Sequence, residues 1–279
     1  MSSARDLPFL IRLLDDKDPA VRPVIREQFS EFGGDISQDL AALGIKVPAS
    51  GKKRLVKLLE PGRRDTLRAE WLVPSGGASA LEDDWESFEA ILRQLSDFLH
   101  DGITLRPSLS DSLDLLADEI REEISDPSAD ELRLWLFDDR RFTGVKEKAD
   151  VEKNFDLCRV IDHKKGNPTS LGFLYILMGR RVGANVEGCN YPGHFLTRIE
   201  ADGMSYLVDC FHSGRRFDIS TLLDNHPEIS DKARHAIDSP GNLGLILLRY
   251  ITELQYSLAA SGRDEDALLF KELIQTLKP

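Results

Sequence analysis

Between residues 166 and 209 the apolar spacing of the chain switches from a helical to a strand period, and this switch constrains the fold more than any other feature. Gly166-Asn167-Pro168-Thr169-Ser170 stands ahead of Leu171, Leu174 and Leu177, a spacing that predicts a helix start there and a helix running on to Arg181. At Gly183 the period changes. Residues 185–190, 195–199 and 204–210 read as short strands, and Glu200-Ala201-Asp202-Gly203 between the last two is a hairpin signal. Helical patterns lie on both sides. Trp85, Phe88, Ile91, Leu92, Leu95, Phe98 and Leu99 mark one amphipathic helix, and Leu113, Leu116, Ala117, Ile120 and Ile124 mark another. Ser128 with Glu131 forms a capping-box pattern ahead of 132–137, and 154–161 continues as helix. Helices resume after Pro227, through Leu243, Leu247, Tyr250, Ile251 and Leu254, then Ala267, Phe270, Leu273, Ile274 and Leu277. Helices, a small antiparallel sheet, then helices again: the expected class is α+β.

The N-terminal region reads as a pair of short helices. Leu7, Leu10, Ile11 and Leu14 recur at helical spacing until Asp15-Asp16-Lys17-Asp18-Pro19 breaks the run. Asp18 is then expected to cap a second helix with Pro19 at its first position, followed by Val21, Ile25 and Phe29. Two helices joined by an aspartate-rich turn resemble one HEAT repeat, and a lone repeat must dock its open face on the rest of the chain or on a partner. Pro74-Ser75-Gly76-Gly77-Ala78-Ser79 is the most linker-like segment. The turn Ser261-Gly262-Arg263-Asp264 and the final Pro279 frame a TPR-like helical pair. The expected organisation is therefore a HEAT-like region 1–74, a core 81–238 and a TPR-like pair 239–279.

A hydrophobic fraction of 41% and a charged fraction of 30% are those of a soluble globular protein, and no run approaches the apolar length of a membrane helix. Met1-Ser2-Ser3-Ala4-Arg5-Asp6 lacks a basic start and an apolar core, so a cytoplasmic location is expected. A net charge of −12 weighs against nucleic acid and anionic membranes as partners. The short basic patches, Lys52-Lys53-Arg54 with Arg63-Arg64, and Arg215-Arg216, have acidic neighbours and read as solvated faces. Cys158, Cys189 and Cys210 are odd in number and far apart, which argues against a disulfide framework, and the absence of CxxC or paired His/Cys spacing suggests no zinc. No metal or cofactor is expected.

His194 and Asp209 flank the hairpin. If the loop is 200–203, the two lie directly opposite each other. If it is only Asp202-Gly203, Phe211 lies opposite His194 and Asp209 sits one diagonal away. Any even loop without a bulge puts both on one face, about 5–8 Å apart at Cβ. An aspartate so placed can hold a histidine tautomer and stabilise its protonated form; alternatively, His194 packs at a strand entry while Asp209 accepts backbone hydrogen bonds. A third member would come from the helix start at 167–170, where free amides and the helix dipole favour an anion. A cysteine there becomes nucleophilic, whereas Ser170 needs a nearby base and is otherwise a first-turn hydroxyl or cap. Of the three cysteines, Cys189 is the best-placed substitute.

Leu136-Phe137 through Phe142-Thr143-Gly144, Asn154-Phe155, Gly166-Asn167-Pro168-x-Ser170-Leu171, Asn190-Tyr191-Pro192-Gly193-His194-Phe195-Leu196 and Val208-Asp209-x-Phe211-x-x-Gly214 together resemble the SirB-type branch of the transglutaminase-like superfamily, over roughly 81–223. The resemblance implies a papain-like core of helices on a small antiparallel sheet. In active members a Cys-His-Asp triad performs acyl transfer or amide hydrolysis through a thioester; the resemblance carries over His194 as the histidine and Asp209 as its orienting aspartate. Ser170 is the nearest match to the cysteine, and this branch often lacks that cysteine. Two functions follow. One is a non-catalytic scaffold or regulatory module that binds a protein or peptide near His194. The other is a hydrolase or acyltransferase on amide or ester bonds, with Ser170, His194 and Asp209 as nucleophile, base and orienter. A small anion at the Ser170 helix start is compatible with the first.

Overall fold

The computed structural model describes residues 4–16, 18–138, 141–146, 151–226, 228–239 and 241–278. The leader reading of residues 1–3, the turn residue Lys17 and the marks at Pro227 and Pro279 lie outside the described residues. Two compact units form, Met1–Leu72 with Asp97–Pro107 and Val73–Ser96 with Ser108–Pro279.

The first unit contains α1 (Leu7–Arg12), α2 (Val21–Ser30), α3 (Ser37–Ala42) and α4 (Ala49–Glu70). The aspartate-rich stretch turns the chain with its own side chains: Asp16 Oδ1 accepts the Asp18 amide and Asp18 Oδ1 accepts that of Ala20, each at 2.8 Å. Asp18 thus lies two residues before the N-cap, Ala20, and α2 begins at Val21 rather than at Pro19. Leu7, Leu10, Leu14, Ile25, Phe29, Ile36, Leu40, Leu55 and Leu59 meet in one core.

The second unit takes α5 (Trp85–Leu99) as far as Ser96, then α6 (Leu109–Glu123) and α7 (Ala129–Arg133), which runs into a single π turn over Leu134–Asp138. The capping box at α7 forms as the sequence implies: Ser128 Oγ accepts the Glu131 amide, and the Glu131 carboxylate accepts the Ser128 amide at 2.9 Å. Next come β1 (Thr143–Gly144), α8 (Leu157–His163), β2 (Lys165–Gly166) and α9 (Pro168–Val182). Every residue of α9 from Thr169 to Gly179 is buried, so this helix is enclosed on all sides and the other elements are layered around it.

The sheet follows: β3 (Glu187–Cys189), β4 (Leu196–Ala201), β5 (Met204–Asp209) and β6 (Arg215–Asp218), antiparallel throughout in that order. Ala201 pairs with Met204, so of the two loops the sequence allows, the short one forms. Asp202 and Gly203 take φ of 52° and 75°, the left-handed pair that a two-residue hairpin needs and that Asp-Gly supplies cheaply. The edge strand β6 was not legible, being short and without alternation. Its two arginines are exposed, as a solvated face implies, and also make contacts: Arg215 lies over the Phe217 ring, and Arg216 lies over Tyr206 and pairs with Asp130 at 3.0 Å.

The chain closes with α10 (Ile219–Asn225), α11 (Asp231–Asp238), α12 (Leu243–Ala260) and α13 (Asp264–Leu277). The linker-like stretch at 74–79 leads into a 3-10 turn, Gly77–Leu81, with Gly77, Ala78 and Leu81 buried, and the Leu243 amide bonds Glu82 at 3.2 Å. Its glycines serve a tight turn, not a tether: Gly76 and Gly77 both have positive φ. The core runs through aromatic rings, Phe88 to Phe173 at 5.6 Å, Phe173 to Phe195 at 5.4 Å and to Tyr250 at 4.7 Å. Burial of each such ring contributes roughly 1.5–3 kcal/mol. The fold is α+β, as expected. Among the described residues no helix is long and apolar enough to cross a membrane.

Candidate functional site

The helix start is built by its own cap. Asn167 takes an extended conformation (φ −81°, ψ 172°), and its side chain accepts the Ser170 amide at 2.7 Å. Ser170 Oγ in turn accepts the Asn167 amide at 3.0 Å and donates to the Asn167 carbonyl at 3.2 Å. These bonds form a reciprocal capping box, and Ser170 is fully buried. The hydroxyl therefore faces its own helix end; among the described residues it bonds to nothing in the His194 region.

His194 lies in the turn ahead of β4, where its amide reaches the Tyr191 carbonyl at 3.3 Å and Gly193 carries a φ of 79°. Its ring is 31% exposed. The Nε2 atom bonds Asp209 Oδ1 at 3.0 Å, which leaves Nδ1 without a hydrogen-bond partner among the described residues. Asp209 ends β5 and is buried. Structure thus brings His194 and Asp209 together and keeps the Ser170 hydroxyl out of their hydrogen bonding.

The carboxylate of Asp209 has more partners than a simple pair. Oδ1 also accepts the amides of Phe211 and His212, each at 3.1 Å, and Oδ2 is 2.7 Å from His212 Nδ1. Burial alone would push this carboxyl up; the hydrogen bonds from His194 and His212 outweigh it and bring the pKa down to about 2. The two imidazoles lie 5.9 Å apart between ring centres. Donor atoms of His194, Asp209 and His212 all fall within 4.8 Å of one another, so among the described residues these three could hold a metal ion. His212 was missed from sequence; its position three residues after Asp209, in the turn between two strands, was the available signal.

Two further residues position the His194 turn. Arg249 of α12 donates to the Tyr191 carbonyl at 2.7 Å and to Glu253 at 2.8 Å, and its guanidinium lies over the Phe195 ring. The other Glu253 oxygen takes the Thr169 hydroxyl, tying the first turn of α9 to α12. Asn167 Nδ2 and Asn190 Oδ1 are buried amide atoms without a partner among the described residues.

The cysteines do not substitute for Ser170. All three are buried. Cys189 Sγ donates to the Ala236 carbonyl at 3.2 Å, and burial pushes its thiol up to about 11. Burial pushes Cys210 up to about 12. Thiols in such surroundings are protonated at neutral pH and poor nucleophiles.

Comparison with known proteins adds a family to this geometry. Residues 108–235 match the family model described as the transglutaminase-like superfamily. A UPF0162 protein of Xylella fastidiosa (strain 9a5c) is 28% identical over 171 residues, covering 57% of this chain and 61% of that protein. The F-box only protein 21 of Pongo abelii is 23% identical over 201 residues, 69% of this chain but 32% of that protein. A UPF0162 protein of Vibrio cholerae is 27% identical over 145 residues, covering 50% of this chain and 52% of that protein. The chain thus matches between a third and three fifths of the length of these relatives. No solved structure matches it. The segment that contains α9, the hairpin, His194 and Asp209 is therefore similar to the transglutaminase-like superfamily, and the comparisons support that superfamily for residues 108–235.

Proposed function

We propose that this protein is a non-catalytic transglutaminase-like module that binds a protein or peptide partner beside His194. The observation that carries this is the state of the Ser170 hydroxyl, buried and hydrogen-bonded in both directions to Asn167. A serine nucleophile needs its hydroxyl within reach of a base, and here it donates to a carbonyl of its own cap. The buried, protonated thiols of Cys189 and Cys210 support the same reading. The His194 turn, by contrast, is held firmly by Arg249 and keeps a partly exposed imidazole whose Nδ1 is available to a ligand. Preorganised polar groups on a rigid turn suit recognition of a peptide.

The test is chemical labelling of the native chain with a fluorophosphonate and with iodoacetamide. Neither reagent is expected to label Ser170 or the cysteines in a manner that depends on His194. Labelling of Ser170 that disappears in a folded His194→Ala variant would overturn the proposal in favour of the hydrolase. Peptides selected against the native protein are expected to lose affinity in Arg249→Ala, because the Tyr191 carbonyl loses its anchor; unchanged affinity would place the binding surface elsewhere.

A further inference from the structure

We propose that His194, Asp209 and His212 form a binding site for one divalent transition-metal ion of the Zn²⁺ class. This goes beyond the partner-binding role and does not rest on it. Two imidazoles and one carboxylate are the nitrogen and oxygen donors that Zn²⁺ and its first-row neighbours take, and three protein ligands leave a coordination position open. The cluster also exceeds what a triad-like pair requires. One imidazole suffices to be oriented by Asp209, yet a second is held on the other carboxylate oxygen at 2.7 Å.

Geometry permits the ion with little rearrangement. Metal–ligand bonds of roughly 2.0–2.2 Å place tetrahedral donors about 3.3–3.5 Å apart. The donor atoms now lie within 4.8 Å, so the widest separation must close by at most roughly 1.5 Å. The pairs now hydrogen-bonded at 2.7 and 3.0 Å must open by roughly 0.3–0.8 Å as the ion takes the place of the shared proton. The His212 side chain is 65% exposed and can make that movement without displacing packed neighbours. Asp209 is already fixed by the amides of Phe211 and His212, the outer-shell support a ligating carboxylate uses, and the backbone turn that carries His194 is held by Arg249. Arg215 faces Asp209 across the ladder, but its guanidinium sits over Phe217, 4.8 Å from the ring centre, and not on the carboxylate.

No covalent or redox step is involved. In the metal-bound form His194 offers the Nε2 lone pair and His212 the Nδ1 lone pair, each ring keeping its proton on the other nitrogen. The spacing, with one histidine fifteen residues before the aspartate and one three after, differs from the paired Cys and His spacings of structural zinc motifs. No spacing of a known metal motif is therefore visible along the chain.

The experiment is calorimetric titration of the chelator-treated full chain with ZnCl₂, with Co²⁺ substitution as a spectroscopic check. The expected result is one Zn²⁺ per chain and a Co²⁺ spectrum of nitrogen and oxygen ligation. His212→Ala, which removes a largely exposed side chain, is expected to weaken binding more than about tenfold while the chain stays folded by circular dichroism. Asp209→Asn is expected to weaken binding as much and also to lower the thermal midpoint, because the buried carboxylate holds His194, His212 and two backbone amides, so its titration is read below that midpoint with circular dichroism confirming the fold. No Zn²⁺ uptake by the folded parent, or undiminished uptake by His212→Ala, overturns the proposal. Either result leaves the labelling test of Ser170 untouched, so the two ideas fail separately.

Discussion

Replacing Gly172 with alanine sets two effects of known size against each other. In an unconstrained helix interior the change stabilises by about 1 kcal/mol, since alanine loses less backbone freedom on folding. Gly172, however, lies on α9 directly beneath Phe195, the residue after His194. A methyl group there would come 2.5 and 2.6 Å from two carbons of the Phe195 ring, far inside an ordinary contact of 3.4 Å. The ring is 2% exposed and packed on Phe173 at 5.4 Å, so it has no room to retreat. Overpacking of this kind costs about 1–3 kcal/mol, and an overlap this deep belongs at the upper end. The net expectation is a loss of about 2 kcal/mol, or about 4–8 °C in thermal midpoint for a unit of this size. In a Phe195→Val background the same glycine-to-alanine change is expected to turn stabilising, because the ring is gone and only the helix preference remains. Thermal denaturation of the four proteins closes the cycle. A Gly172→Ala variant as stable as its parent, or an equal penalty in the Phe195→Val background, would refute the reasoning that the Phe195 ring leaves no room for a methyl group at 172.

Two further expectations concern charge. Arg181 of α9 holds both carboxylate oxygens of Glu89, at 2.9 and 2.7 Å, and Asp114 at 2.8 Å, with its side chain only 12% exposed. Arg181→Ala is expected to cost about 1–3 kcal/mol in urea unfolding, and lysine to recover only part of it, because the two-pronged geometry is lost; a full recovery by lysine would count against that geometry. In the first unit, burial would raise the Asp35 carboxyl, but hydrogen bonds from His100 and Ser37 outweigh it and hold its pKa down to about 2. A carboxyl depressed on folding stabilises above its unfolded value near 4 and loses that contribution as pH falls toward 2. The stability gap between the parent and Asp35→Asn should therefore close over that interval, and should shrink with added salt because the side chain is 52% exposed; a gap independent of pH would contradict it.

The features that sequence settled are those decided within a few residues. Ser128 and Glu131 sit at the spacing a capping box requires, and Asp202-Gly203 offers the two left-handed conformations of a tight hairpin, so both form where expected. The even loop placed Asp209 at the end of β5 beside the start of β4, and the turn at 191–194, which lies outside the strand, then carries the His194 ring to it. Even the ambiguity at Ser170 was local: the same Asn-Pro-Thr-Ser run serves a nucleophile or a cap. Sequence could not choose between them, because that choice depends on which way one hydroxyl turns.

Everything else at the site is decided by chain segments that meet only after folding. Arg249 reaches the Tyr191 carbonyl from 58 positions away, and Glu253 takes the Thr169 hydroxyl from 84. Burial raises the thiols of Cys189 and Cys210, and neither neighbouring residue types nor spacing announces which side chains will cover them. The recruitment of His212 onto the second oxygen of Asp209 depends on how the chain turns between β5 and β6, and β6 itself is an edge strand without a pattern of its own. Local sequence fixes backbone conformation because hydrogen bonds and torsional preferences act over a few residues. Solvent exclusion and the pairing of distant charges exist only in the packed molecule, and they decide which of the site's groups are available for chemistry.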